Sequence, residues 1–245
     1  MTDSLELWHQ ERLRNWGWYF EKIADILVRK FKPENILDIG CSDGLLLSFF
    51  HTRGLQCYGV DISKKSIMFA PEEIKENLML LDIEKEYLPF KDNTFECITI
   101  LEVLEHLHDH SLIISEMYRV LKPGGIVLMS SPVNSKLYQT ISKTLSKPKR
   151  SEPDNSIKDF EVCEFSPHIN VHSKKFWIKE FKSAGFELLE DFKKANKNLI
   201  MQVIDSHDPR DGTAKLLMKF GKIGKFLRKY LAYHLWSTTL IFVKQ

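Results

Sequence analysis

Four carboxylates, Asp38, Asp61, Asp82 and Glu102, recur at intervals of about twenty residues, each within or just after a short apolar run (NILDIG, CYGVD, LMLLD, FECITI). Such runs read as buried parallel strands, which places the acids at consecutive strand ends. A carboxylate closing the second strand can accept both ribose hydroxyls of a nucleoside. One closing the third is placed to accept from an adenine amino group. Asp38 begins the turn Asp38-Ile39-Gly40-Cys41-Ser42-Asp43-Gly44, which runs directly into a helix. Its glycines let the backbone turn tightly and approach a ligand, beside the free N–H groups of a helix start. The GxGxxG dinucleotide fingerprint is incomplete here. Taken singly, each acid has an ordinary alternative as a solvated or capping residue. Four of them converge on one crevice.

The elements that must position these residues alternate regularly. Residues 1–34 read as helical, with Leu13, Trp16, Phe20, Ile23 and Leu27 at helical spacing and Pro33 closing the segment. The strand 35–40 leads into the helix GLLLSFFHTRG, ending at Gly54; strand 57–61 leads into the helix SKKSIMFA, and strand 78–82 follows. Strand 95–100, the helix SLIISEMYRVLK stopped by Pro123 and Gly124, and strand 125–131 complete the first part. Residues 132–172 lose the pattern and read as a lid or substrate loop. The helix SKKFWIKEFKSAG ending at Gly185, the strand FELLED, a basic helix over about 214–233 and a last strand at 238–244 follow. The expectation is one α/β domain over 1–245, with a doubly wound, mostly parallel, seven-stranded sheet. It carries an N-terminal helical extension, a ligand-binding core at 35–131, and a C-terminal part (173–245) with a helical insertion before the last strand. Ligands of such sheets collect at the carboxyl ends of the strands.

Composition narrows the class. The 245 residues are 43% hydrophobic and 28% charged with net charge +2, an ordinary globular balance that gives no reason to expect a nucleic-acid partner. Cys41, Cys57, Cys97 and Cys163 show no CxxC spacing, so free thiols in a reducing compartment are expected. The charged N-terminus predicts no signal peptide, no stretch approaches the length of a membrane span, and the expected location is the cytoplasm. HLHDH does not have convincing ligand spacing, so no metal is predicted. In 214–233, Leu216, Leu217, Phe220, Ile223, Leu227 and Leu231 oppose a face of lysines. This pattern suits packing on the domain or peripheral contact with an anionic membrane, and Gly221 and Gly224 weaken the helix. Trp16, Trp18 and Tyr19 read as packing residues of the N-terminal helix.

ILDIGCSDG, YGVD, LLDIE, LPFKDNTFECITILEVLEHL and LKPGG, in this order and spacing, resemble class I S-adenosylmethionine-dependent methyltransferases, in particular the group like the ubiquinone-biosynthesis O-methyltransferases. The resemblance covers about 35–131 and more weakly 168–186. It implies a Rossmann-like fold and S-adenosyl-L-methionine as methyl donor. Donor contacts would come from Asp38, Gly40, Cys41 and Gly44 in the turn, and from Asp61 with Ile62 at the ribose. Asp82 with Ile83 would frame the adenine, and Leu101, Glu102 and Val103 would lie beside the sulfonium. Cys41-Ser42-Asp43 departs from the pattern, since many relatives have a further glycine there. The acceptor would be a small or lipid-linked molecule, with methylation expected at oxygen; the lack of an NPPY-like tetrad after strand four argues against amide or nucleobase nitrogen. An acceptor hydroxyl needs a proton acceptor, for which His106 and His168 are the candidates; His108, His110 and His172 read as surface residues or caps. Two rivals stand beside this reading. One is a nucleotide-dependent oxidoreductase, suggested by the YxxxK match of Tyr118 and Lys122, although its register before strand five is wrong. The other is a non-catalytic binding module on the same fold.

Overall fold

The computed structural model describes residue 10 and residues 12–132, 169–195 and 237–245. His168, the greater part of the expected lid and the whole basic stretch 214–233 lie outside the described residues. Seven strands form one sheet: β1 (Asn35–Ile39), β2 (Gln56–Asp61), β3 (Leu78–Leu80), β4 (Phe95–Leu101), β5 (Leu121–Pro132), β6 (Phe186–Asp191) and β7 (Ser237–Lys244). Their order is β3-β2-β1-β4-β5-β7-β6. All neighbours are parallel except β7, which runs antiparallel between β5 and β6.

Strand order reverses at β1, between β2 and β4, and in sheets of this kind it is beyond the carboxyl ends at such a switch that a ligand crevice forms. Side chains alternate across the sheet and feed two cores. Leu37, Ile39, Ile98, Ile100, Val127, Met129, Leu240 and Phe242 point to one face, where Met117, Trp177 and Phe181 cover them. Those three come from the helices α5 (Ser111–Val120) and α6 (Lys174–Ser183). Ile36, Cys57, Cys97, Ile126, Leu128 and Ile241 point to the other face, under Ile23 and Leu27 and under Leu47 and Phe50. The first pair lies on α1 (Trp18–Phe31), the second on α2 (Leu45–His51). A π-helical turn, Leu13–Gly17, precedes α1. Among the described residues no helix is long and apolar enough to cross a membrane.

Several boundaries differ from expectation. The helix expected at SKKSIMFA is only Lys64–Ile67 (α3), capped by Ser63, whose hydroxyl accepts from Ser66 N. A second short helix, Glu72–Lys75 (α4), starts after Pro71, which breaks the continuity. β3 stops at Leu80, two residues before Asp82. α5 ends at Val120, and β5 already begins at Leu121. The strand absorbs Lys122-Pro123-Gly124-Gly125 as an irregularity between the pairs Phe95–Leu121 and Cys97–Ile126. Pro123 has no N–H to give the ladder, and Gly124, at φ 77°, turns the chain back into register.

Candidate active site

The turn after β1 lies across the end of β2. Gly40 N and Cys41 N both donate to Val60 O, at 2.8 and 3.1 Å. Gly40 has φ 79°, and a Cβ there would meet Val103 Cγ2 at 2.3 Å, so only glycine fits between the turn and the segment after β4. Cys41 is buried, its sulfur seated where Gly59 leaves room. Ser42 takes the left-handed conformation (φ 54°) that a glycine would hold without strain. Its N–H donates to Asp61 Oδ2 at 2.7 Å, while Ser63 N donates to Asp61 Oδ1 at 2.7 Å. Asp61 therefore ties the glycine-rich turn to the start of α3. Burial pushes its carboxyl above the usual carboxylate range, and the two N–H donors act against that shift. Ile62 beside it is 69% exposed, an isoleucine left open at a strand end. Gly44, also left-handed, precedes α2.

Asp38 is buried behind the turn and accepts from Thr99 Oγ1 at 2.6 Å. Desolvation pushes it up to about 7; the Thr99 bond opposes the shift and the charge of Asp61 adds to it. Arg12, from the N-terminal segment, reaches over the same turn. Its guanidinium donates to Asp43 Oδ1 at 2.5 Å and to Ser42 Oγ at 2.7 Å. Asp43 is fully buried and also accepts from Leu45 N in the first turn of α2. Motif reading had no means of finding Arg12, because it meets the turn from thirty residues away.

Asp82 and Ile83 stand beyond β3. The Asp82 carboxylate pairs with Lys85 at 2.6 Å and accepts from Glu84 N at 3.2 Å, and these bonds hold it below the usual carboxylate range. Leu101, the last residue of β4, packs on one core and Val103, just after the strand, on the other. Glu102 sits between them with φ 56°, a second non-glycine residue in a strained conformation at this crevice. Its N–H donates to Ser130 O and its Oε1 accepts from Ser130 Oγ at 2.7 Å. Tyr19 of α1 is packed against the core, and burial first and then the charge of Glu102 push its phenol up.

His106 ends a 3-10 turn, Leu104–His106, with its Nε2 4.0 Å from Glu105 Oε1. The chain after His168 returns to this turn: Ile169 N and Asn170 N both donate to Glu105 O. His108 is exposed and bonded to Glu84, as a surface residue. His110 and His172 are instead packed. His110 faces Glu180 at 3.6 Å and Trp177 edge-on, and His172 stacks on Phe176 with 3.7 Å between centroids. Tyr118 and Lys122 stand at the opposite end of the sheet. Tyr118 packs on Phe186 and Lys122 pairs with Glu96 near the start of β4, far from the acids of the crevice. Among the described residues no three His, Cys, Asp or Glu side chains are arranged to hold a metal ion.

A family model described as a methyltransferase domain matches residues 7–191. The chain is 34% identical over 106 residues to norajmaline N-methyltransferase of Rauvolfia serpentina, a stretch covering 41% of this chain and 36% of that protein. It is 33% identical over 102 residues to ubiquinone biosynthesis O-methyltransferase of Dechloromonas aromatica, covering 40% and 44%. The match thus spans less than half the length of these curated relatives. A solved structure of geranyl diphosphate methyltransferase in complex with S-adenosylmethionine superposes with a TM-score of 0.59 at 16% identity, over 92% of this chain and 85% of that one. At that identity the likeness is one of fold.

Proposed function

The chain belongs to the family of methyltransferase domains, and on that premise we propose that it moves the methyl group of S-adenosylmethionine to oxygen of a small-molecule or lipid-linked acceptor. The observation that carries this reading is Asp61, a carboxylate at the end of β2 whose oxygens fasten the glycine-rich turn and the start of α3. A carboxylate has about four acceptor positions, so two N–H donors leave capacity for a pair of ribose hydroxyls. The surroundings fit the rest of the donor. Exposed Ile62 and partly buried Ile83 suit the faces of a purine. The close turn at Gly40 admits a narrow chain, and Arg12 over that turn would hold a carboxylate.

When bound, the donor supplies a methyl group on a positively charged sulfur, already activated for transfer. The task left to the chain is to hold acceptor and methyl group in line and to exclude water. Leu101, Glu102 and Val103 would lie beside the methyl group, with the carboxyl of Glu102 favouring positive charge there. His106 or His168 would take the proton of the acceptor hydroxyl. The oxygen reading draws on the ubiquinone-biosynthesis relatives, which are O-methyltransferases by name. The protein would work in the cytoplasm, with the basic stretch 214–233 against an anionic membrane where a lipid-linked acceptor is held.

The test is release of S-adenosylhomocysteine in the presence of hydroxylated aromatic and prenylated acceptors, at donor concentrations below saturation. The wild type is expected to release it only when an acceptor is present, and Asp61→Ala to be slowed at least about a hundredfold, the order expected for losing paired hydrogen bonds to a charged group. Equal rates in both proteins would remove Asp61 from the donor site. Donor binding without turnover on any acceptor would favour a non-catalytic binding module.

A further inference from the structure

Glu105 is fully buried on the 3-10 turn after β4, and neither of its carboxyl oxygens completes a hydrogen bond to a conventional donor among the described residues. An ionised carboxylate in that position would be poorly compensated, with only its own N–H and the Ser131 hydroxyl near enough to favour the charge. Its carboxyl stands against that of Glu102, within reach of a hydrogen bond between the two acids, and near Ser131 at the end of β5. Two carboxyl groups make such a bond only when one carries a proton. Glu102 is the better seat for the charge, because Ser130 Oγ donates to it. We propose that Glu105 is a positioning residue: it carries the shared proton and donates it to Glu102, so that the pair presents one negative charge, centred on Glu102, to the sulfonium end of the donor.

This rests on the donor reading above. Burial and then the charge of Glu102 push Glu105 up to about 8, in keeping with a proton held at neutral pH. The groups facing the pair are Tyr19 from α1, Ser130 and Ser131 from β5, and His106, whose Nε2 is 4.0 Å from Glu105 Oε1. Ile169 N and Asn170 N meet only the Glu105 carbonyl. As pH rises through 8 the pair gains a second negative charge. That change favours the cationic sulfonium over the neutral thioether of the product.

The experiment is calorimetric titration of wild type and Glu105→Gln with S-adenosylmethionine and S-adenosylhomocysteine between pH 6.5 and 9.5. Comparing the two proteins cancels the titration of the ligands themselves. Glu105→Gln, which keeps a neutral donor, should bind both ligands within about threefold of wild type at pH 7. Between pH 7 and 9 the preference of the wild type for the sulfonium should rise about tenfold more than that of the variant, the order expected for one added charge a few ångströms away. A wild-type preference that tracks the variant at every pH overturns the proposal. So does a more than tenfold loss of affinity in a cooperatively folding Glu105→Gln at pH 7, because the charge of Glu105 would then be needed. Infrared difference spectra between the wild type and Glu105→Gln test the proton. Because Asp38 also holds a proton near pH 7, the band assigned to Glu105 is the protonated-carboxyl band present in the wild type at pH 7, missing from the variant and lost above 8. The absence of any such difference overturns the assignment. If neither ligand binds at any pH, it is the donor reading that fails, and the infrared difference between wild type and Glu105→Gln still decides whether Glu105 holds the proton.

Discussion

Asp38 is an acid held where its charge is unwelcome, and that has a consequence for stability. Its pKa is about 7 in the folded chain and 3.8 in the absence of structure. Below about pH 4 both states hold the proton and the group has no effect on stability. Between pH 4 and 7 only the unfolded chain ionises, which favours unfolding, and above 7 the loss is complete. The amide introduced by Asp38→Asn does not titrate, and its oxygen can still accept from Thr99. Urea unfolding should therefore show Asp38→Asn gaining on the wild type as pH rises from 4.5 to 8, by at most about 4 kcal/mol. A difference that does not vary with pH would mean that Asp38 is ionised in the fold. At this scale the places of Asp38, Gly40 and Asp61 at and beside the strand ends were legible because a short motif ties residue type to strand end. The surroundings of Arg12 and Glu105 were not, since folding alone brings Asp43 to the one and Glu102 to the other. Nor did spacing alone distinguish the exposed His108 from His110 and His172, which lie in an aromatic cluster formed with α6.

Among the elements, β7 enters between β5 and β6 and brings Lys244 into the core edge at 8% exposure. Its ammonium donates to Asn93 Oδ1, Tyr118 O and Leu121 O, each at 2.8 Å, and lies 4.6 Å above the Tyr118 ring. It ties the end of α5 and the start of β5 to the last strand. Lys244→Met keeps much of the packing but leaves two carbonyls without their donor, so a loss of about 2–4 kcal/mol is expected in urea unfolding. A change below about 0.5 kcal/mol would mean that water replaces the ammonium. Strand identities were readable here because buried runs such as NILDI and FECITIL are apolar throughout. Their ends were less so: β3 stops where Leu80 is exposed, and β5 begins four residues early because sheet pairing claimed Leu121 from the helical pattern.

For the molecule as a whole, the alternation of strands and helices already implied a parallel sheet covered on both faces, with a crevice at the carboxyl ends. The two cores and the strand order have that form. The position of β7 was beyond local pattern, because a strand's neighbours are chosen by the faces it can bury rather than by its own sequence. Donor binding would depend on one site at the switch between β2 and β4. Its most direct test is calorimetric titration with S-adenosylmethionine and S-adenosylhomocysteine, using the wild type, Asp61→Ala and the milder Asp61→Asn, each first checked for cooperative thermal unfolding. The expected result is one site of micromolar order, roughly 8 kcal/mol, weakened at least about tenfold in both folded variants. Absence of heat and of thermal stabilisation with either ligand in the wild type would contradict the account.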